Sequence, residues 1–334
     1  MYEWNTDLYK MFFEAGIKSY MADDAIICYI TPKFYMINLY DENMRAYFIK
    51  NMHIEFLSYC NPFDVITENV ITLMRKSNCE QEYIPIYRQN ERSKVFEEKS
   101  PLDLRYSITN LHKEWITGIS SEILAILTKM NCKTKLKNIS TSKRGAEVSK
   151  NILRATQYGL PSLIGQDIKK YTIHWNDTYL DKNHKEYRRL NTFFSKDMIY
   201  LRRVDICLEA TIGDIAYGFS KNVYGIKIDE SKGYDKKFIL ALLNSKALDF
   251  YYKKKFSTKK EDVFPEIQTY LYEQLPLPMD CKQQPIIDLV DIILAKKKQD
   301  PLADTSLEEN AIDELVYQLY DLTDEEIRLI EQAS

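Results

Sequence analysis

The scarcity of glycine constrains this chain more than any other feature of its sequence. The 334 residues contain nine glycines, and residues 1–117 contain a single one, Gly16. A loop that cradles a nucleotide phosphate needs closely spaced glycines, because only glycine lets the backbone approach the ligand that closely. The first third of the chain therefore lacks a G-x-G-x-x-G loop of any kind.

Residues 1–76 show the patterns of an α/β sheet. Apolar residues recur at helical spacing between Asp7 and Tyr20, at Leu8, Met11, Phe12, Ala15 and Ile17, and predict an amphipathic helix with these residues on its buried face. The apolar run 25–30 predicts a buried strand that ends at Thr31-Pro32. Residues 38–50 again look helical, and residues 54–59 and 69–75 read as strands.

The remainder divides into three parts. We expect residues 77–129 to be a linker with a helix near 120–130. The stretch 77–110 is charged and contains Pro85 and Pro101, and it either links the two parts or wraps over one of them. Residues 130–280 have short strands near 199–205 and 222–228 and a helix pair broken at Asn244-Ser245, which is typical of an α+β domain. Two apolar stripes predict a helical tail over residues 281–334.

The charge of the chain is distributed unevenly. Its net charge is −3, yet residues 131–270 hold 27 Lys and Arg against 16 Asp and Glu, whereas the segments on either side are acidic. A basic middle region between acidic flanks is typical of a domain that binds a polyanion. A solvated lysine-rich surface is the alternative explanation.

The cysteines and the apolar runs limit the remaining classes. The six cysteines are scattered, with no C-x-x-C pair and no histidine at zinc-ligand spacing, so we expect free thiols and no metal. No apolar run approaches the roughly 20 residues that span a bilayer. We therefore expect a cytoplasmic protein that does not bind a membrane.

Three segments of the basic region carry a resemblance to a known family. Residues 199–211 (IYLRRVDICLEAT), 221–228 (KNVYGIKI) and 238–252 (FILALLNSKALDFYY) resemble the C-terminal specificity domain of Taq-type adenine-specific DNA methyltransferases. The later segments VFPEI at 263–267 and LPLP at 275–278 keep the same order, and KRGAE at 143–147 and LIGQDIKKY at 163–171 look like the start of that domain. The resemblance covers residues 130–280 and implies a target recognition domain.

Residues 1–76 resemble the second half of the catalytic domain of the same family. The resemblance implies that the aromatic ring of Phe12 lines the adenine pocket of the cofactor S-adenosylmethionine, and that Phe63 contacts the flipped target base. Packing in the core is the alternative for both residues. The glycine-rich cofactor loop and the Pro-Pro-Tyr loop of the family do not occur in this chain, and we expect them to precede residue 1.

The resemblance also implies how such a protein finds its target. A basic domain grips phosphates with Lys and Arg and reads base edges with a few polar side chains. We expect phosphate contacts from Lys143, Arg144, Lys169, Lys170, Lys253, Lys254 and Lys255, and base contacts from Arg202, Arg203 or Asn222. The alternatives are solvated surface charges for each of these residues and structural ion pairs for Arg202 and Arg203.

The expected fold is therefore α/β plus α+β. It combines the C-terminal half of a Rossmann-like methyltransferase sheet, a mixed α+β target recognition domain and a helical tail. The expected function is recognition of double-stranded DNA as part of a type IIG restriction-modification enzyme that methylates adenine N6. We expect the chain alone to bind no cofactor and to expose an apolar sheet edge, so that it self-associates or needs an N-terminal methyltransferase chain. A non-catalytic specificity subunit or decoy is the alternative.

Overall fold

The computed structural model of the chain forms two compact units, Met1–Asn131 and Cys132–Ser334. It describes residues 7–63, 68–77, 79–104, 114–115, 117, 120–156, 158–204, 207–256, 266–279 and 281–333. Residues 263–265 of the VFPEI segment and residues 205–206 of the first resembling segment lie outside the described residues. Each unit is described separately below.

The first unit alternates helices and strands. In chain order its elements are α1 (Leu8–Ala15, continued by a π-helical turn Gly16–Tyr20), β1 (Ile26–Pro32), α2 (Phe34–Ile37), α3 (Glu42–Asn51), β2 (Met52–Cys60), β3 (Asn69–Lys76), β4 (Tyr83–Gln89), β5 (Phe96–Asp103) and α4 (Ser121–Met130).

The five strands of this unit form one mixed sheet. Its strand order is β1-β3-β2-β4-β5. The strand β3 runs antiparallel to both β1 and β2, so that β1 and β2 are parallel to each other and are connected through α2 and α3. A helical crossover between parallel strands is the unit from which α/β sheets are built.

The core of the unit lies on one face of this sheet. Phe13 and Ile17 of the first helical segment and Phe48 of α3 pack there against Ile27 of β1 and Met74 of β3, all at most 8 % exposed. Side chains alternate between the faces of a strand. The opposite side of the sheet, here called the outer sheet face, consists of Ile26, Cys28, Ile30, Ile71 and Leu73.

The buried face of α1 differs from the predicted one. Leu8 and Phe12 are 68 % and 59 % exposed, and the side chains that α1 buries are Lys10, Phe13 and Glu14. The helix carries two apolar stripes because Phe12 and Phe13 are adjacent. A buried ion pair between Lys10 and Asp41, with Nζ 2.8 Å from Oδ1, accompanies the stripe that faces the sheet.

The segment predicted as a linker also folds differently. Residues 83–103 form the hairpin β4–β5, which extends the sheet beyond β2. Ile84 and Ile86 are buried, and Pro85 between them lies at a register shift of the hairpin. A bulge tolerates a proline because the missing N–H would not have been needed in the ladder there. The helix expected near 120–130 is present as α4.

The second unit is richer in short strands. Its elements are α5 (Leu136–Ile139), β6 (Ser140–Arg144), α6 (Lys150–Ala155), β7 (Leu160–Leu163), β8 (Ile168–Lys169), β9 (Thr172–Ile173), β10 (Tyr179–Leu180), α7 (Lys185–Leu190), β11 (Ile199–Arg202), β12 (Ala210–Ile212), β13 (Gly218–Phe219), β14 (Val223–Ile228), α8 (Lys236–Asn244), α9 (Lys246–Phe256), α10 (Thr269–Tyr272), α11 (Gln284–Gln299), α12 (Ser306–Leu319) and α13 (Asp324–Gln332).

A four-stranded sheet of order β12-β11-β14-β6 lies at the centre of this unit. The helix pair α8 and α9 breaks at Ser245, as the sequence predicted, and both helices are almost completely buried. The tail helix α11 packs on α8, and α12 packs on α9 and α11. The tail therefore belongs to the same compact unit as the mixed α+β region.

Two further findings concern the whole described part of the chain. None of its helices has both the length and the apolar character required to cross a bilayer. The six cysteines are all free, and no cluster of potential metal ligands occurs among the described residues.

Candidate functional site

The turn between β13 and β14 brings several of the predicted residues together. Lys221 and Asn222 are exposed at its tip. The carbonyl oxygen of Lys221 accepts a hydrogen bond from Arg144 Nε at 3.2 Å, and that of Asn222 accepts one from the backbone N–H of Arg203 at 2.9 Å. The turn thereby fixes the spacing between β6 and the end of β11.

Gly145 permits this close approach. A Cβ atom at position 145 would lie 2.2 Å from the carbonyl oxygen of Ser220, well inside van der Waals contact. The backbone N–H of Gly145 donates to the Val223 carbonyl oxygen at 3.1 Å, so strand pairing holds it against the turn. The glycine in the KRGAE segment thus places Arg144 beside Lys221.

Both candidate base-reading arginines are paired with carboxylates. Arg202 Nη1 lies 2.8 Å from Glu209 Oε2, which Lys169 Nζ also approaches at 3.5 Å. Arg203 Nη2 lies 2.6 Å from Glu266 Oε2. The structural pairing weighed as the alternative for these two arginines is therefore present. To bind DNA, either arginine would have to exchange its carboxylate partner for a phosphate or a base edge.

We call the surface formed by the β13–β14 turn and the polar side chains around it the turn patch. Gly165 packs closely against this patch, because a Cβ at position 165 would lie 3.3 Å from Asn222 O and 4.0 Å from Arg202 Cγ. The exposed side of the patch contains more cationic groups than carboxylates. Its polar members are Arg144, Lys169, Arg202, Arg203, Lys221 and Asn222, with the carboxylates of Glu147, Glu209 and Glu266.

The lysines of α9 lie elsewhere and differ from one another. Lys253 is held by Asp249, with Nζ 2.7 Å from Oδ2. Burial alone would lower the pKa of Lys253, but the hydrogen bond and the charge of Asp249 raise it. Lys255 is only 4 % exposed, and its Nζ lies 3.1 Å from Tyr251 Oη. Lys254 is half-buried, with its ammonium group 5.9 Å from the Phe250 ring centroid.

Lys170 has a structural partner too. Its Nζ donates to the carbonyl oxygen of Asn244 at 2.8 Å, at the break between α8 and α9. Asn244 in turn pairs with both backbone groups of Ala210, at 2.8 and 3.0 Å. Lys170 therefore helps to hold the helix pair against β12, and the turn patch does not include it.

Lys143 has a neighbour that the sequence did not reveal. Its ammonium nitrogen lies 5.2 Å from the centroid of the Phe193 ring, and that of Lys227 lies 4.8 Å from the same centroid. Lys143 and Lys227 belong to adjacent antiparallel strands, β6 and β14. No sequence motif joins residues 143, 193 and 227, so only the strand register identifies Lys227.

A family model matches the centre of this unit. Residues 160–277 match the TaqI-like C-terminal specificity domain. The matched segment contains the β13–β14 turn with Arg202 and Arg203, whereas Lys143 and Arg144 precede it on the strand β6.

Known proteins resemble the chain beyond the specificity domain. A putative type II restriction enzyme and methyltransferase of Methanocaldococcus jannaschii is 27 % identical over 324 residues, which cover 90 % of this chain and 27 % of that protein. The chain thus spans about a quarter of the length of this relative.

Solved structures provide a comparison of the fold. The type IIL restriction-modification enzyme MmeI, solved in complex with DNA, has a TM-score of 0.52 at 10 % identity and covers 91 % of this chain and 48 % of that one. The type IIG restriction endonuclease BpuSI has a TM-score of 0.38 at 13 % identity, covering 90 % and 48 %. At this identity the similarity to MmeI concerns the fold alone.

The two predicted aromatic contacts are both exposed in the first unit. Phe12 is 59 % exposed on α1, and Phe63 is 64 % exposed three residues after the end of β2. Neither ring therefore packs in the core, which was the alternative for both. The single glycine of residues 1–117, Gly16, faces Ile27, since a Cβ would lie 2.8 Å from Ile27 Cδ1. Gly16 thus serves the packing of the first helical segment on β1.

Proposed function

We propose that the chain recognises a sequence in double-stranded DNA as the specificity part of a restriction-modification enzyme. The match of residues 160–277 to the TaqI-like specificity domain carries this proposal. The relative named as a restriction enzyme and methyltransferase supports it, because its similarity extends over 90 % of the chain.

The turn patch supplies the chemistry for such recognition. Lys221 and Asn222 project from a turn whose backbone is fixed by hydrogen bonds. An asparagine side chain donates to and accepts from an adenine edge in the major groove. The backbone N–H of Arg203 is bonded to the Asn222 carbonyl oxygen of this turn, and release of Glu266 would free its guanidinium for a base or a phosphate. We therefore assign base reading to Asn222 and Arg203 and backbone contact to Arg144 and Lys221.

Selection from a pool of random duplexes tests this proposal. The purified chain should enrich a short sequence motif, and gel shifts with that duplex should show affinity that falls steeply between 50 and 200 mM salt, because bound cations release counterions from DNA. Asn222→Ala should reduce the preference for the selected site over a scrambled one, by about 1–3 kcal/mol if it reads one base pair. A folded chain that binds no duplex at low salt would exclude the proposal.

We further propose that methyl transfer to adenine N6, if this chain takes part in it, depends on protein outside these 334 residues. The family binds S-adenosylmethionine through a glycine-rich loop, and residues 1–117 contain only Gly16, which packs against Ile27. An exposed Phe12 offers one stacking surface and nothing that would hold the rest of the cofactor. The described residues of the first unit therefore do not fit the cofactor.

Calorimetry tests the cofactor part of the proposal. We expect no heat of binding when the chain is titrated with S-adenosylmethionine at up to about 100 μM, because aromatic stacking contributes only about 0.5–1.5 kcal/mol, whereas micromolar affinity requires about 8 kcal/mol. A tritiated-methyl transfer assay on mixed duplex DNA should give no signal. Stoichiometric binding or turnover by the chain alone would contradict this expectation.

A second function is a specificity subunit or decoy that binds DNA without catalysis. The misfit between the first unit and the cofactor favours this reading over an autonomous enzyme. The two functions predict different results when the chain is co-expressed with a methyltransferase segment. If the chain is part of a methyltransferase, the mixture should methylate the site that the chain selects, whereas a decoy would protect that site from methylation.

A further inference from the structure

Phe193 lies at the centre of a group of two lysines outside the turn patch. It occupies the turn after α7, where its N–H donates to Leu190 O at 2.8 Å, and its ring is 5 % exposed. The ammonium groups of Lys143 and Lys227 lie 5.2 and 4.8 Å from the ring centroid. Both lysines are half-buried.

The strand register holds these lysines on one face of the central sheet. Lys143 is paired with Gly225, and Lys227 is paired with Thr141. Paired residues share a face, and so do residues two positions apart. Thr141, Lys143 and Lys227 therefore project to the same side, where Gly225 leaves room for the aromatic cluster, since a Cβ there would lie 2.6 Å from Phe219 Cζ.

The charges of the two lysines are not compensated within the described part of the chain. Lys143 and Lys227 form no ion pair with a described carboxylate, whereas Arg144, Lys169, Arg189, Arg202, Arg203 and Lys253 each do. Their nitrogens are no more than about 10 Å apart, because each lies about 5 Å from one centroid. Two cations held this close repel each other, and an anion between them would relieve the repulsion.

We propose that Lys143 and Lys227, held over Phe193, clamp a phosphate of the DNA backbone. This inference rests on the proposed function and adds a second contact point to it, outside the turn patch. The exposed hydroxyl of Thr141 is the third donor on the same face. Phe193 is a positioning residue, since its ring holds both ammonium groups without neutralising them.

The chemistry of the group favours a phosphate over a base edge. An ammonium group is a compact point charge with rotatable donors, whereas base edges are read by planar side chains that form two hydrogen bonds at once. The described side chains of the group offer no carboxylate or amide for a base. The clamp should therefore fix the register of the domain on the duplex and contribute nothing to the choice of sequence.

Lysine-to-glutamine variants test the clamp. The variants are Lys143→Gln, Lys227→Gln and the double variant, with Lys237→Gln as the matched control, because Lys237 loses the same charge but is paired with Asp291 at 2.6 Å. Dissociation constants are measured over a salt series on the selected duplex and on a scrambled one. A DNA-independent arm compares melting temperatures in inorganic phosphate and in chloride at equal ionic strength.

We expect the double variant to weaken binding to both duplexes by the same factor. The slope of log K against log salt should become shallower by about 0.9 for one lost phosphate contact. The control should keep the wild-type slope, and phosphate should stabilise the wild type more than the double variant. A double variant with wild-type slope and wild-type response to phosphate would overturn the clamp alone, whereas a wild type that binds no duplex would overturn the proposed function as well.

Discussion

Individual lysines of a basic segment can be buried or paired, so that they do not contribute a free positive charge to the surface. Of the three consecutive lysines in α9, Lys255 is buried against Tyr251 and Phe256, with its ammonium group 5.4 and 5.1 Å from their ring centroids. Lys253 is paired with Asp249. In this geometry Lys254 is the member of the run best placed for a phosphate.

Substitution of Lys255 should affect stability more than that of its neighbour. Lys255→Ala should lower the free energy of unfolding by about 1–3 kcal/mol, because it removes buried packing and leaves Tyr251 Oη without this donor. Lys255→Met, which keeps the stem, should cost less, and Lys254→Ala should stay within about 0.5 kcal/mol. Urea unfolding measures all three. Equal losses at positions 254 and 255 would contradict the burial assignment.

At the scale of elements, one ionic network fastens the tail to the helix pair. The carboxylate of Asp313 on α12 accepts from the backbone N–H of Lys246, at the start of α9, at 2.9 Å. The side chain of Lys246 lies 2.9 Å from Glu331 on α13 and 3.7 Å from Asp313. Burial raises the pKa of Asp313 although Lys246 opposes the shift. Burial alone would raise the pKa of Glu331, but its hydrogen bonds to Tyr317 and Lys246 lower it.

This network predicts a pH-dependent effect of Lys246→Met. At neutral pH the variant should be less stable by about 1–3 kcal/mol, because the buried Asp313 carboxylate loses its cationic neighbour. A carboxyl with a raised folded pKa becomes neutral first as pH falls, and Glu331 follows at its lowered pKa. The loss of stability in the variant should therefore become smaller as the pH falls through the pKa values of Asp313 and Glu331. Glu331→Gln is the control with the smaller expected loss of stability. Urea unfolding at several pH values measures the effect of both variants. A loss of stability that does not change with pH would argue against the network.

Considered as a whole, the molecule exposes several large apolar side chains in its first unit. Ile26 and Ile30 on the outer sheet face are 54 % and 45 % exposed, and β1 is an edge strand of the described sheet. An exposed edge strand beside an apolar face favours association with another chain.

Removal of this apolar surface should change the association state of the protein. We expect the wild type to sediment with a weight-average mass that rises with concentration, and the double variant Ile26→Thr/Ile30→Thr to remain closer to a monomer. Threonine keeps the β propensity of both positions. Ile215→Thr, at a position that is 44 % exposed in the second unit, is the matched control. A wild type that is monomeric at every concentration would exclude the proposed association.

Features that depend on near neighbours could be predicted from the amino-acid sequence alone. The helix break at Ser245 follows from residues within a few positions, and the structure has it. A strand that ends at Pro32 is also present, but it is a partly exposed edge strand rather than the buried strand that was expected. The specificity domain was also evident from the sequence, because its segments keep a fixed order along the chain.

The choice among several possible partners of a residue depends on how distant segments of the chain pack together. α1 presents two apolar stripes, and packing on the sheet selected the one with Phe13 rather than Phe12. Ile84 and Ile86 became a buried strand in a segment that looks like a linker, because β2 was available to pair with it. Arg203 pairs with Glu266, 63 residues away, and Lys143 meets Lys227 on Phe193 across two strands. Such contacts depend on register and packing between distant segments, which local patterns do not encode.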